Sequence, residues 1–462
     1  MATHSTTFLE MKKSLTDFQK SICEPVGPLR TSNHPGNNLY SEYHPENRKC
    51  TWTYHASEVL FSEMDQSASS ESKESIINYI ANPVAYGILY TDFCHKIPSI
   101  VCKEGYKARW SKDIMYNIFQ SAELLLGDLS LQTIDSFYID GYNQAMIDPY
   151  LCEVTDINIG NAEYLQNWND RLPFHNCSLL LPWFYSEDQS RYFPLHYCGY
   201  LTKLTHKIKY KNYIFDFLEI IDSEDRHVKF PEGISQIDGT ILPKKIDGLV
   251  RMEVPKLWGE YLYKSDTEIE YDRCTTDNLR LQGIDNAILY TDIITYISKE
   301  EHKIGDLVKI PILTTFPITG IIWGAQNTSS LCNYSASKDE DWSPIKYASL
   351  ETPSGIIFKN MPSYRTNRVY PQKHLKCIPK KQGFNYWFSA GKYRPINQHP
   401  GMIMKDGFLS IQLHDMNPWI GENPTSDLFR IHVSFMVTKR ITFESFLQGN
   451  KDSIPVKAVI YG

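Results

Sequence analysis

The stretch Leu428–Phe446, LFRIHVSFMVTKRITFESF, decides the fold class. Phe429, Ile431, Val433, Phe435 and Val437 fall on one side of an extended chain, and Arg430, His432, Ser434 and Thr438 on the other. An amphipathic helix would repeat its apolar positions every 3.6 residues. Alternation with period two instead predicts a half-buried β-strand.

Working outward, Phe408–Leu413 predicts another strand and Ile454–Tyr461 a last one. The most apolar run, Ile312–Ala325 (ILTTFPITGIIWGA), falls short of the ~18–20 residues a membrane helix needs and carries Thr and Pro. It predicts a buried strand pair. Helical text is sparse. Phe8, Met11, Leu15, Phe18 and Ile22 share one helical face, which predicts a helix over 5–22. Further helical stretches are expected over 111–126 and as a turn near 298–303. Residues 23–49 are rich in Pro, Gly, Asn and His and predict an extended connector. The Ser-rich stretch 66–75 predicts a surface loop. Many short strands between turns indicate an all-β chain of sandwiches or barrels. The 30 Tyr and 9 Trp suit it, because flat rings pack well on pleated sheets.

A chain of 462 residues is long enough for two or three domains. The pentapeptide Ile-Leu-Tyr-Thr-Asp occurs at 88–92 and again at 288–292, in strand-like text both times. This fits two copies of one β-domain, with a chance match as the alternative. The polar stretch Ser223–His227 between two apolar runs is the expected boundary.

The formal net charge is −7, with no long block of one sign. A protein that coats DNA shows a basic stripe, so direct nucleic-acid binding is not expected. Ten cysteines are widely spaced with no C-x-x-C pair. The first residues lack the apolar core of a secretory signal, so reduced thiols are expected. No metal-binding, phosphate-cradling or nucleophile-elbow motif occurs. His196 and His206 read as ordinary packed or surface residues. Asp339–Asp341 reads as a solvated loop, and Glu300-Glu301 as an exposed turn. No catalytic, cofactor or metal residue is therefore assigned, and no enzyme is expected. Asn176, Asn327 and Asn333 each open an N-x-[ST] triplet. The last two are glycosylation candidates in a loop expected to be exposed.

Four collinear segments resemble the major capsid proteins of nucleocytoplasmic large DNA viruses, most closely the iridovirus branch. The first runs from Arg109-Trp110 through Tyr116-Asn117-Ile118 and Gly127-Asp128 to Ile134–Asp140. Tyr116 stands where the family has His, and Gly127 where it has Asn. The second and most extensive is Ser178–Phe217, with Leu181-Pro182-Trp183-Phe184-Tyr185, a polar turn at Asp188, and Pro194-Leu195 at a strand entry. Each proline lacks an N–H and should sit at a strand start or edge. The third is Ile288–Ile304, which contains Asp292, and the fourth is Phe316–Asn327.

The resemblance covers residues 8–460. It implies two tandem eight-stranded jelly rolls, with an N-terminal helix and arm at 1–48 and rolls at 49–222 and 228–462. It also implies a homotrimer of pseudo-hexagonal outline that tiles an icosahedral shell. The expected location is the virion, after assembly in the host cytoplasm. Expected partners are further copies of the chain, minor capsid proteins and, through the arm, an inner viral membrane. Loops 222–247 and 325–345 would form outer towers. The C-terminal third departs most from the family, which keeps open a minor capsid paralogue or a poxvirus-like membrane scaffold. A carbohydrate-binding β-sandwich or enzyme is the more distant alternative.

Overall fold

The computed structural model describes residues 41–44, 49–52, 57–68, 74–82, 85–147, 149–186, 192–195, 203–211, 213–242, 253–264, 287–328, 343–381, 383–389, 401–415, 428–444 and 457–461. The expected helix at 5–22 and the arm up to residue 40 lie outside them.

Sixteen strands carry the architecture. The first eight are β1 (Ser57–Glu63), β2 (Glu74–Ile80), β3 (Gly87–Ile97), β4 (Phe119–Leu126), β5 (Leu129–Asp135), β6 (His175–Leu180), β7 (Leu204–Lys211) and β8 (Lys256–Lys264). The second eight are β9 (Ala287–Ile297), β10 (Leu307–Ile312), β11 (Ile318–Asn327), β12 (Ile345–Thr352), β13 (Gly355–Pro362), β14 (Phe384–Phe388), β15 (Gly407–Leu413) and β16 (Leu428–Glu444). The first set forms sheets ordered β6-β3-β8-β1 and β5-β4-β7-β2. The second set forms β14-β11-β16-β9 and β13-β12-β15-β10. Adding eight to each number of the first set gives the second, so one topology occurs twice. All of these pairings are antiparallel. Two four-stranded antiparallel sheets in this order make a jelly roll.

The closing strand moves the boundary. β8 lies between β3 and β1, with Trp258 opposite both Asp92 and Glu63. The expected break at 223–227 therefore falls inside the first roll. That polar stretch is a turn beside a small sheet in which Leu218–Ile221 pairs with Lys107–Trp110 and with His227-Val228. The repeated pentapeptide also finds a different explanation. Its first copy lies in β3 and its second in β9, which are not equivalent strands. The two rolls match in topology, and this echo does not report it.

Other expectations divide. The stretch expected as helix over 111–126 is a short helix α1 (Ile114–Ile118) followed by β4. The stretch Ile312–Ala325 is not the expected strand pair: only Ile312 at the end of β10 and residues 318–325 of β11 are strand there, and β10 and β11 lie in different sheets. Near 298–303 a bend leads into a short strand at His302-Lys303 rather than a helical turn. The closing strand is Lys457–Tyr461, paired with Arg440–Glu444.

β16 departs most from its sequence pattern. Phe429, Ile431, Val433, Phe435 and Val437 fill the second roll's core with Ile310, Trp323, Leu350 and Ile411, as the alternation predicts. The opposite face is buried too. Ser434, Met436 and Thr438 are all buried there, and Met436 belongs to the first roll's core cluster. A central strand covered on both faces is not half-buried. Small polar residues on its second face leave room for what packs against it.

Candidate functional site: the seam between the rolls

What covers β16 is a helical insertion of the first roll. Helix α2 (Ser136–Met146) follows β5 directly, and the Asp135 carboxylate caps it by accepting from the Tyr138 N–H at 2.8 Å. Phe137 projects onto the second roll, 5.0 Å between ring centroids from both Phe384 and His432. Gly141 lets the helix sit close. A Cβ there would lie 2.9 Å from the Ile322 methyl and 3.1 Å from the Phe384 ring. The Tyr386 hydroxyl donates to the Gly141 carbonyl at 3.0 Å. Tyr290, Ile322, Phe384, Tyr386 and Met436 of the second roll join one continuous apolar cluster with the first roll.

Gly141→Ala tests this approach. The helix would gain ~0.5–1 kcal/mol in propensity, but overpacking costs ~1–3 kcal/mol. A net loss of about 1 kcal/mol is expected, read as a lower denaturant midpoint.

The seam also holds charge. The Lys381 ammonium lies 2.7 Å from an Asp113 oxygen and 2.6 Å from an Asp140 oxygen. Asp140 is fully buried, and the other two are nearly so. Burial alone would depress the Lys381 ammonium, but the charges and hydrogen bonds of both carboxylates outweigh it and hold it above the ordinary lysine range. Lys381 belongs to the second roll and the carboxylates to the first, so this cluster is an ionic clasp. Next to it, Lys380 pairs with Asp156 at 2.7 Å, and its N–H donates to the Gln144 side chain at 2.9 Å.

A second clasp contains residues that the resemblance singled out. Leu181–Tyr185 turns out of β6 into the interior, and all five residues are buried. The Trp183 indole donates to the Thr91 hydroxyl at 2.8 Å, and the Tyr185 hydroxyl meets the His206 ring at 2.9 Å. The Phe184 ring packs, tilted, against Tyr290 of the second roll with centroids 4.8 Å apart. Pro194 is buried just after Phe193, which bridges to Ile88. Asp292 accepts from Lys439 at 2.6 Å and, across the seam, from the Thr133 N–H at 3.4 Å. Burial raises the Asp292 carboxyl above its usual range, and Lys439 opposes that.

The remaining family-signature residues sit elsewhere. Arg109 pairs with Glu219 at 2.7 Å and lies over the Trp168 ring at 4.4 Å. Trp110 is buried beside Phe215. Asn117 ties α1 to its entry turn by donating to the Lys112 and Asp113 carbonyls. Asp128 is exposed in the β4–β5 turn. Asn327 is only 3% exposed at the end of β11, which does not suit a glycan acceptor. Asn333 lies outside the described residues, as does His196. Asn176 is exposed on the edge strand β6.

No group of three or more metal-ligating side chains occurs among the described residues. No helix among them is long and apolar enough to cross a membrane.

The sequence matches no protein-family model and no curated protein. Solved structures do match. The Faustovirus major capsid protein aligns with a TM-score of 0.59 at 9% identity, over 93% of this chain and 98% of that one. A chain of the PBCV-1 virus capsid aligns at 0.57 and 13% identity, over 84% and 94%. A chain of the Sputnik virophage aligns at 0.50 and 9%, over 94% and 93%. With one jelly-roll topology found twice and fused along an apolar, ion-clasped seam, the chain has the fold of the double jelly-roll major capsid proteins.

Proposed function

We propose that this chain is a structural subunit of an icosahedral virus shell, without catalytic activity. In this reading it assembles in the host cytoplasm as a pseudo-hexagonal homotrimer and tiles the outer capsid of the virion. The observation that carries the reading is the duplicated roll with one apolar cluster shared across the seam. Two like lobes held in fixed orientation give six around a threefold axis, and a floppy linker would not. The first roll would run from the N-terminal arm through Lys264, and the second from Ala287.

An exposed apolar surface supports lateral contacts. Helix α3 (Cys152–Asn158) and its approach expose Tyr150, at 92%, together with Leu151, Val154 and Ile157. Tyr164 and Phe174 extend this surface, tied in by His175, which contacts the Tyr164 hydroxyl and the Ile157 carbonyl. Patches of this kind mark subunit interfaces. The arm would contact minor capsid proteins or an inner membrane.

The test is light scattering on the reduced full-length protein, with negative-stain images of the same sample. A mass three times that of the chain, with hexagonal outlines, is expected. A compact monomer at all concentrations would overturn the reading.

A further inference from the structure

The seam ends in a small cleft that the clasps do not use. Its walls come from α2, α3 and the segment after residue 374 of the second roll, and it is lined by Tyr116, Asn143, Thr155 and two cysteines, Cys152 and Cys377. Cys152 is the first residue of α3, in the first roll. Cys377 reaches it from the second roll, its backbone N–H donating to the Ala145 carbonyl near the end of α2 at 3.2 Å. Both thiols line this one cleft, the Cys377 thiol also donates to the carbonyl of its neighbour Ile378 at 3.5 Å, and no disulfide joins the two in the structure. Both are half-exposed. Lys380 stands beside them, anchored to Asp156.

Nothing in the sequence pairs these two residues, which are far apart in the chain. Only the docking of one roll on the other brings them together. The surrounding backbone holds them there, through the Ala145–Cys377 hydrogen bond on one side and Gln144 with Lys380 on the other. We propose that Cys152 and Cys377 are a redox site: under oxidising conditions they form a disulfide that staples the two rolls across the seam. Bond formation requires the sulfurs to close to the S–S distance of about 2 Å. Cys377 lies outside any helix, and Cys152 is in the first turn of a short one, where small shifts are cheap.

The oxidant is a low-molecular-weight disulfide such as oxidised glutathione. The Cys152 thiolate attacks one of its sulfurs, one small thiol leaves, and a mixed disulfide forms. The Cys377 thiolate then attacks the Cys152 sulfur, the second small thiol leaves, and the S–S bond is complete. The protein thiols lose two electrons and two protons, and the oxidant becomes two thiols. Burial and Cys377 hold the Cys152 thiol above its usual range, and the Lys380 charge opposes this. Oxidation should therefore be slow at neutral pH and quicken as pH rises. The inference does not depend on the shell reading.

The experiment exposes the native full-length protein to oxidised glutathione at pH 8.5. Remaining thiols are blocked with a maleimide, and a non-reducing digest is mapped by mass spectrometry. A linked peptide pair carrying Cys152 and Cys377 is expected, absent in Cys152→Ser and in Cys377→Ser. The bridge closes a very long loop, so Tm should rise by about 5 °C and fall back with reductant. Neither serine variant should show the rise. If both cysteines carry only glutathione or maleimide, or if they link two chains instead of one, the proposal fails.

Discussion

Lys381→Met is expected to destabilise the full-length protein by about 3–5 kcal/mol, because it leaves two carboxylates at the seam without their cation. The Asp140 side chain is fully buried there and cannot recover its solvation by a rotamer change. The magnitude reflects the stranded charges more than the worth of the pair itself. Adding Asp140→Asn should therefore recover part of the loss. Lys380→Ala is the control. Lys380 is more than half exposed and its partner Asp156 a third exposed, so less than about 1 kcal/mol is expected. Denaturant midpoints at pH 7.5 separate these outcomes. Equal effects of the two lysine variants would mean that the seam is wet and the clasp is weak.

Acid is expected to unfold the chain through its histidines. Burial pushes His206 down to about 3 and His95 and His432 down to about 4, from an ordinary value of 6.5. The folded chain thus keeps them neutral where the unfolded chain protonates them. Unfolding takes up protons between about pH 6.5 and 4, and stability is lost as pH falls through that window. Glu260 acts the other way. Burial and Asp92 raise it to about 7, so its folded form binds the extra proton, and burial raises the Asp92, Asp135 and Asp292 carboxyls in the same sense. The three histidines against Glu260 leave at most about two protons taken up near pH 5, or at most about 2.7 kcal/mol lost per pH unit, and the raised aspartates lower this figure. Urea titrations from pH 7 to 4.5 measure this slope. His95 finds no hydrogen-bond partner for either ring nitrogen among the described residues. His95→Leu should therefore flatten the slope by nearly one proton. An unchanged slope would remove His95 from the account.

Alternation in β16 and the aromatic run Leu181–Tyr185 revealed strand text and core text correctly, because period two and apolar clustering are local properties. The first-roll boundary was not local. β8 belongs with strands over 150 residues earlier, and nothing between Ser223 and His227 signals that the roll is still open. The pentapeptide misled for the same reason, since five apolar and polar residues suit any strand with one side buried. Lys381 was illegible in a different way. It follows Lys380 in the stretch Pro-Lys-Lys-Gln, which reads as solvated, and only the position of α2 takes it out of water. Ser434 and Thr438 looked like a solvent face because a sequence window cannot see a second layer arriving from the first roll.

The position of β8 has a consequence for synthesis. Among the described residues β1 pairs in its sheet with β8 alone, Ser57 opposite Lys264 and Glu63 opposite Trp258. A ribosome adding ~5–20 residues per second would leave β1 without its neighbour for roughly 10–40 seconds. β3, which gains β6 on its other side earlier, waits somewhat less for the same partner. Two strands with open edges would thus be presented to every other nascent chain nearby, each carrying the same strands. Slow closure through distant contacts is the kinetic cost of this topology. At high expression levels, the hazard is cross-pairing between chains before the first roll shuts.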